Sequence, residues 1–169
     1  MRYIKFFIIG IVCLFVLLTL IGLMMPSVVM VGRSAEIKAP LDSVRFYTND
    51  PANWRYWING ADTSYYKQLT PSTSQKGSKI MLGTYTVTVL ENDADTIFTL
   101  WQGESTKQQI NKLDLSYNST TNLVVINWAF QQQLSWLPWD RLGAMLYNSV
   151  YGPSMEVSLN KLKKVCERD

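Results

Sequence analysis

The side chains that could carry acid–base chemistry in this chain of 169 residues are few and scattered. Histidine is absent, so the commonest general base and the commonest nitrogen ligand for metals are both missing. Glu91, Asp93 and Asp95 cluster between two predicted strands, where a solvated turn explains them. Glu104 and Asp114 fall in the strand region, and either carboxylate could face a pocket. The sequence therefore predicts no catalytic group that can be named, no metal site and no cofactor.

The densest aromatic stretch is NDPANWRYWING, residues 49–60. An Asn-Asp-Pro turn signal leads into Trp54 and Trp57, whose three-residue spacing puts both rings on one side of a helical turn. This pair could seal one end of the core, gate a pocket, or contact a bilayer, where tryptophan is favoured. We expect the seal, because the pair falls between a short helix and a long polar loop.

Residues 6–25, FFIIGIVCLFVLLTLIGLMM, form an apolar run without a charged side chain. A helix of this length spans roughly 30 Å, which is the thickness of the hydrocarbon core of a bilayer. A cleaved secretory signal has a shorter apolar stretch and small residues before the cut, which the run MMPS at 24–27 does not supply. We expect residues 1–26 to be an uncleaved transmembrane anchor and residues 27–169 to be one domain.

The charges around this run predict its orientation and limit the partners of the domain. Arg2 and Lys5 precede it, which favours a single pass through the cell membrane with the N-terminus in the cytoplasm and the domain outside. Arg33 and Lys38 follow it and reduce the difference in positive charge between its two ends. Of the 16 basic residues, two precede the run, which leaves 14 against 13 acidic residues. This balance indicates no nucleic-acid partner.

The remaining chain alternates between helical and strand periodicity. We predict a strand over residues 27–40, a short helix over 41–48, a helical turn carrying the two tryptophans, and a weak strand over 65–69 within a polar loop. Alternating polar and apolar residues predict four more strands over 84–89, 96–102, 108–117 and 123–132. Short turns between these strands are typical of an antiparallel meander.

Two helices are predicted after the strands, over residues 139–150 and 153–168, with Gly152-Pro153 as the break between them. The first has an apolar stripe of Leu142, Met145, Leu146 and Val150, and the second has one of Met155, Leu159, Leu162 and Cys166. Strands followed by a helix indicate the α+β class, with the helix laid across one face of the sheet.

This order of elements resembles the START-like superfamily, which includes polyketide cyclases and Bet v 1-like proteins (SRPBCC). The likeness rests on VGRSAEIKAPLDSVRFYTNDPANWRYW, LGTYTVTVLENDADTIFTLW, TTNLVVINWAF and PWDRLGAMLYNSVYGPSMEVSLNKLKKVCE. Asn122 and Ser158 stand where the family prefers glycine, and Arg45 and Thr48 where it prefers apolar residues. The resemblance implies a helix-grip fold, in which a curved antiparallel sheet wraps around a long C-terminal helix.

The resemblance also implies a function, because in this family the sheet and the helix enclose an apolar cavity for lipids, sterols, polyketides or other hydrophobic ligands. We therefore expect a membrane-anchored binding module for a hydrophobic small molecule or lipid. The candidate lining is Trp54, Trp57, Tyr85, Val87, Trp101, Leu115, Trp128, Met145, Met155 and Leu159, any of which could instead be plain core. Two alternatives stay open: a protein-interaction or regulatory domain with a filled core, and a cyclase-like enzyme with a pocket carboxylate such as Glu104. The sequence names no protein partner.

Overall fold

The structure is a computed structural model that describes residues 2–60, 65–103 and 108–168. Its helices are α1 (Arg2–Leu23), α2 (Leu41–Thr48), α3 (Pro138–Gly143) and α4 (Tyr147–Cys166), and 3-10 helices cover Pro51–Tyr56 and Ala144–Leu146. Its strands are β1 (Val28–Ile37), β2 (Tyr66–Gln68), β3 (Lys79–Leu82), β4 (Tyr85–Asn92), β5 (Thr96–Gly103), β6 (Gln109–Asn118) and β7 (Leu123–Gln133).

These strands form one antiparallel sheet in the order β1-β7-β6-β5-β4-β3-β2. Strands β4 to β7 form the expected meander, β3 and β2 extend it at one edge, and β1 pairs with the last strand, β7. The register crosses the sheet in one row that joins Val29, Gln132, Gln109, Trp101 and Val87. That row lies one residue from the start of β1, at the end of the sheet where the chain leaves α1.

Alternating burial defines the inner face of the sheet, as the period of two requires. The buried side chains of β7 are Val124, Ile126, Trp128, Phe130 and Gln132, and those of β5 are Ile97, Thr99 and Trp101. Helix α4 covers this face with the stripe predicted from the sequence, Met155, Leu159, Leu162 and Cys166, all of which are buried. The predicted α+β class, with the C-terminal helix laid on the sheet, is therefore confirmed.

The sequence prediction missed β3 and ended β4 too early. Strand β3 has only four residues, and Ile80 to Leu82 are all apolar, so the sequence shows no alternation of polar and apolar residues there. Gly83, with a φ of 62°, turns the chain directly into β4. Strand β4 continues to Asn92, whereas alternation ends at residue 89, because an irregularity between Val89 and Glu91 shifts the register.

The predicted break at Gly152-Pro153 is wrong, because α4 is continuous from Tyr147 to Cys166. Pro153 and the residue four positions earlier, Ser149, are both exposed, so the proline lies on the outer side of the first turns of α4. Gly152 leaves room for a neighbouring side chain: a Cβ at this position would meet the Arg33 guanidinium, which would have to move aside. Arg33 Nε donates to Glu156 Oε1 at 2.6 Å across this glycine, which ties β1 to α4.

The predicted helix over 139–150 is also wrong in its extent and in what it covers. The chain forms the short helix α3 and then the 3-10 helix Ala144–Leu146. Met145, Leu146 and Val150 do not enter the core, since 63–70% of each residue is exposed. Helical spacing identifies an apolar face, but it does not say which surface covers that face.

The tryptophan pair seals the core. Trp54 is 1% and Trp57 0% exposed, so the bilayer contact considered for them is wrong. Both indole nitrogens have partners: Trp54 Nε1 donates to the Thr48 carbonyl at 2.8 Å, and Trp57 Nε1 to the Tyr47 carbonyl at 2.9 Å. These bonds fasten the segment that carries the two rings to α2. They also pair both indole N–H donors, so the rings are buried without leaving a polar group unsatisfied.

Replacing Trp57 by alanine should lower the free energy of unfolding by about 3–5 kcal/mol, because it leaves a large cavity and removes the hydrogen bond to the Tyr47 carbonyl. Urea unfolding of the full chain in detergent micelles, followed by near-UV circular dichroism, measures this change. The neighbouring Tyr56→Ala, which removes a half-exposed ring, is the control and should cost less than about 1 kcal/mol. An equally small loss for Trp57→Ala would contradict the seal.

Candidate ligand-binding site

A partly enclosed cavity of about 180 Å³ lies between the inner face of the sheet and α4. Strands β4 to β7 supply one wall, α4 supplies the opposite wall, and Ile58 and Asn59, which follow the tryptophan pair, line the space between them. The lining residues are Ile58, Asn59, Tyr85, Trp101, Gln109, Asn111, Trp128, Phe130, Tyr151, Ser154, Met155 and Ser158. The space exists because the sheet and the helix together do not fill it with side chains.

An outer groove of about 380 Å³ borders this cavity and shares Ile58, Asn59, Tyr85 and Trp101 with it. The groove continues over the β3–β4 turn at Gly83 to the surface. The inner cavity alone is close to the roughly 150 Å³ that holds a benzene molecule. Together with the groove, the space reaches the range of about 300–1,000 Å³ that is usual for small-molecule sites.

The predicted ring residues form the apolar wall in two layers. Trp101 and Trp128 line the cavity, and the sealed pair lies behind them. Trp54 stacks on Trp101 with ring centroids 6.0 Å apart, and Trp57 meets Trp128 edge-on at 5.6 Å. The buried pair therefore holds the lining rings in place without contributing to the lining itself.

A buried hydrogen-bond network forms one side of the cavity. Gln109 Nε2 donates to Gln132 Oε1 at 3.0 Å and to the Tyr151 hydroxyl at 3.3 Å. Gln132 Nε2 donates to the Tyr147 hydroxyl at 3.0 Å. The network joins neighbouring strands β6 and β7 to the first turns of α4, so it fixes the helix over the cavity.

Asn111 carries a buried hydrogen-bond donor that has no partner among the described residues. Its Oδ1 accepts from Trp128 Nε1 at 3.1 Å, and its Nδ2 is the unpaired atom. Because an indole nitrogen only donates, this bond fixes which end of the amide faces Trp128. Asn111 is 5% exposed, so leaving Nδ2 unpaired costs about 1–3 kcal/mol. Asn111 lines the cavity, so an acceptor placed against this residue would pair its Nδ2.

Ser158, one of the departures from the family pattern that the sequence resembles, fixes the segment that lines both the cavity and the outer groove. Its hydroxyl accepts from the backbone N–H of Asn59 at 2.9 Å and donates to the Ser154 carbonyl at 2.7 Å. The residue is 1% exposed. The serine therefore satisfies a backbone donor of the segment that follows Trp57 and fastens that segment to α4.

Among the described lining residues, none carries a carboxylate, an ammonium or a guanidinium group. Burial raises the pKa of Tyr151, so its hydroxyl stays protonated at neutral pH and acts as a hydrogen-bonding group. Asp114 faces away from the cavity, because inward positions on β6 are odd-numbered. A hydrogen bond from Thr96 holds the pKa of Asp114 below its usual value. Glu104 lies outside the described residues.

The structure distributes the predicted site residues over three places. Tyr85, Trp101, Trp128 and Met155 line the cavity. Trp54, Trp57, Val87, Leu115 and Leu159 are buried in the core behind that lining. Met145 was expected on the inner helix stripe, but it is 70% exposed and borders a different groove beside the end of α1.

Sequence reasoning missed the polar members of the site, above all Gln109, Asn111 and Tyr151. A signal for two of them existed. Gln109 and Asn111 share the parity of Leu113 and Leu115, so the alternation of β6 continues inward with amides. A buried amide on an inward strand position indicates either a hydrogen-bond network or a ligand contact.

Comparisons with known proteins show a relationship in structure. No protein-family model matches the chain, and no curated protein matches it. A START superfamily protein from Mycobacterium smegmatis superposes with a TM-score of 0.61 at 15% identity, covering 83% of this chain and 98% of that one. CalU16 from Micromonospora echinospora gives 0.58 at 17% identity, covering 83% and 66%.

DynU16, a protein of the dynemicin biosynthetic locus, gives a TM-score of 0.61 at 12% identity. The match covers 82% of this chain and 47% of DynU16, so the chain spans about half the length of that protein. Identities this low show the fold alone. With its antiparallel sheet and its long C-terminal helix, the chain has the START/polyketide cyclase-like helix-grip fold that its sequence resembles.

Proposed function

We propose that this chain is a membrane-anchored binding module for a small hydrophobic molecule that carries a hydrogen-bond acceptor. The observation that carries the proposal is the unpaired Nδ2 of Asn111 on the wall of a largely apolar cavity. An apolar ligand gains free energy by leaving water, and an acceptor on it would pair the buried donor. The acceptor would also set the orientation of the ligand.

The size and chemistry of the cavity favour this function over the two alternatives. A regulatory domain with a filled core has no reason to retain about 180 Å³ of space beside an unpaired amide. A cyclase-like enzyme needs a positioned acid or base. The described lining supplies hydroxyls and amides for hydrogen bonding, and burial raises the pKa of Tyr151, which keeps that hydroxyl protonated at neutral pH.

The membrane anchor rests on α1. Residues Tyr3–Leu23 have a mean hydropathy of 3.0 and are long and apolar enough to cross a membrane, a property they share with a signal sequence. We take residues 1–26 as a retained single span in the cell membrane and residues 27–169 as the binding domain. The basic residues before the span favour a cytoplasmic N-terminus and a domain outside.

The role of Asn111 is tested with a matched pair of ring compounds. Acetophenone and ethylbenzene have the same ring and differ by a carbonyl oxygen, so only acetophenone can accept from Nδ2. The ratio of their affinities for the full chain in lipid nanodiscs should fall about fivefold in Asn111→Leu, for a bond of about 1 kcal/mol. Both affinities are measured by titration, with the NMR signal of the Trp128 indole N–H as the readout. They are expressed relative to the concentration of free ligand in water.

Asn127→Leu is the matched control, because Asn127 lies on the exposed face of neighbouring β7. It should leave the ratio unchanged. If neither compound binds the unaltered protein, the ligand-binding proposal is wrong. If both bind and Asn111→Leu does not change their ratio, the cavity binds rings but Asn111 is not the anchor.

The orientation of the domain is tested by labelling from outside the cell. Lys76 is exposed in the loop before β3, whereas Cys13 lies within α1 and Cys166 is buried. In intact cells, Lys76→Cys in the full chain should react with a membrane-impermeant maleimide, and the unaltered chain should not. Labelling that appears only after lysis would put the domain in the cytoplasm. Release of a shortened chain into the medium would mean that α1 is a cleaved signal.

A further inference from the structure

Five apolar side chains between positions 136 and 150, in and around α3, are exposed and make up what we call the juxtamembrane patch. The patch consists of Trp136, Trp139, Met145, Leu146 and Val150, and each of these residues is between 59% and 70% exposed. Two of the six tryptophans of the chain lie here, whereas Trp54, Trp57, Trp101 and Trp128 are buried. Exposed apolar side chains concentrated in one short segment are typical of an interaction surface.

Helix α3, which carries part of the patch, packs directly against the end of α1. A Cβ added at Gly22 would lie 3.5 Å from the Pro138 Cα, so the two backbones approach closely at this glycine. Arg141 Nη1 donates to the Met25 carbonyl at 2.5 Å, which caps the chain as it leaves the helix. The patch is therefore fixed relative to the membrane span.

These contacts also set how deep the patch would lie. Pro138 is level with Gly22, one residue before α1 ends. The Trp139 ring reaches towards Phe15, with centroids 6.2 Å apart, and Phe15 is seven residues or about 10 Å further into the span. If α1 crosses the bilayer, the Trp139 indole must lie below the headgroups or among them.

The polar groups of this segment are arranged as a membrane interface requires. Asp140 and Arg141 are the only charged residues between positions 136 and 150. Arg141 is 8% exposed, and its Nε donates to the Ser135 carbonyl at 2.9 Å; the carboxylate of Asp140 accepts from the Ser135 hydroxyl. Polar groups in contact with lipid must find their hydrogen-bond partners within the protein, and the charged groups of this segment do so.

We propose that the juxtamembrane patch inserts into the leaflet on the domain side of the bilayer, as an interfacial apolar surface that holds the domain against the lipid. The inference rests on the proposed membrane anchor and adds a second attachment to it. Amphipathic tryptophan rings favour this depth, and exposed Met145, Leu146 and Val150 would replace water by acyl chains.

Tryptophan quenching by brominated lipid tests the insertion. The full chain is reconstituted into phosphatidylcholine vesicles with or without bromine near the top of the acyl chains. Brominated lipid should lower the fluorescence of the unaltered protein, and the decrease should be lost in the double variant Trp136→Phe, Trp139→Phe. Aqueous iodide should quench the same two rings weakly.

A tryptophan at the far end of the sheet serves as the control. Tyr117 pairs with Val124, which pairs with Ile37, so it lies nine residues or about 30 Å along β1 from Val28. Position 117 is half-exposed. A tryptophan placed there in the double variant, Tyr117→Trp, should be insensitive to brominated lipid but quenched by iodide.

Alkaline carbonate extraction separates the two ways in which the inference can fail. A chain that resists extraction but shows no bromine-dependent decrease retains its anchor and refutes the insertion. If iodide is also excluded from the two rings, a protein surface covers the patch instead of lipid. A chain that carbonate releases has no membrane span, and both the anchor and the insertion are then wrong.

Discussion

The pairing of β1 with β7 is the constraint on which the rest of the structure depends. It aligns ten residue pairs from Val28 opposite Gln133 to Ile37 opposite Val124, which are about a hundred positions apart in the chain. The Leu134 N–H extends the ladder to the Ser27 carbonyl at 2.8 Å. Because β7 leads straight into α3 and α1 leads straight into β1, this one register brings the end of the apolar helix beside Arg141. No local contact could do this.

The distribution of the core along the sheet explains how this helix-grip fold can hold a cavity and remain stable. The buried tryptophan pair and the α4 stripe supply a continuous core at one end, where Val44, Trp57 and Leu162 are fully buried. Space remains at the other end, where inward positions on β6 and β7 carry amides. An unpaired donor such as Asn111 Nδ2 can persist there because the rest of the core offsets its cost.

Much of the fold could be predicted from periodicity, because burial on one face imposes a period of two on β5 to β7 and a stripe on α4. The missed elements have local causes. In β3 the apolar residues are consecutive, and in β4 a register shift between Val89 and Glu91 interrupts the pattern. Pro153 predicts a break from sequence, but α4 runs through it, with Pro153 and Ser149 both on its exposed side.

The candidate site was predictable only in part, for a different reason. Ring residues such as Tyr85, Trp101 and Trp128 stand out by size and by strand parity. Whether a buried ring lines a space or fills it depends on packing across the sheet and the helix, which no single strand encodes. The same limit explains Met145, whose apolar spacing is real but whose partner surface is not the core.

The row of residues that crosses the sheet at Val29 also shows at which end of the sheet the cavity lies. Gln132, Gln109 and Trp101 stand in that row, so the amide side of the cavity lies at the end of the sheet nearest to α1. Tyr151 is only one helical turn beyond the start of α4 at Tyr147. If α1 is the proposed anchor, a ligand that leaves the bilayer would meet the amide side of the cavity at the near end of the domain.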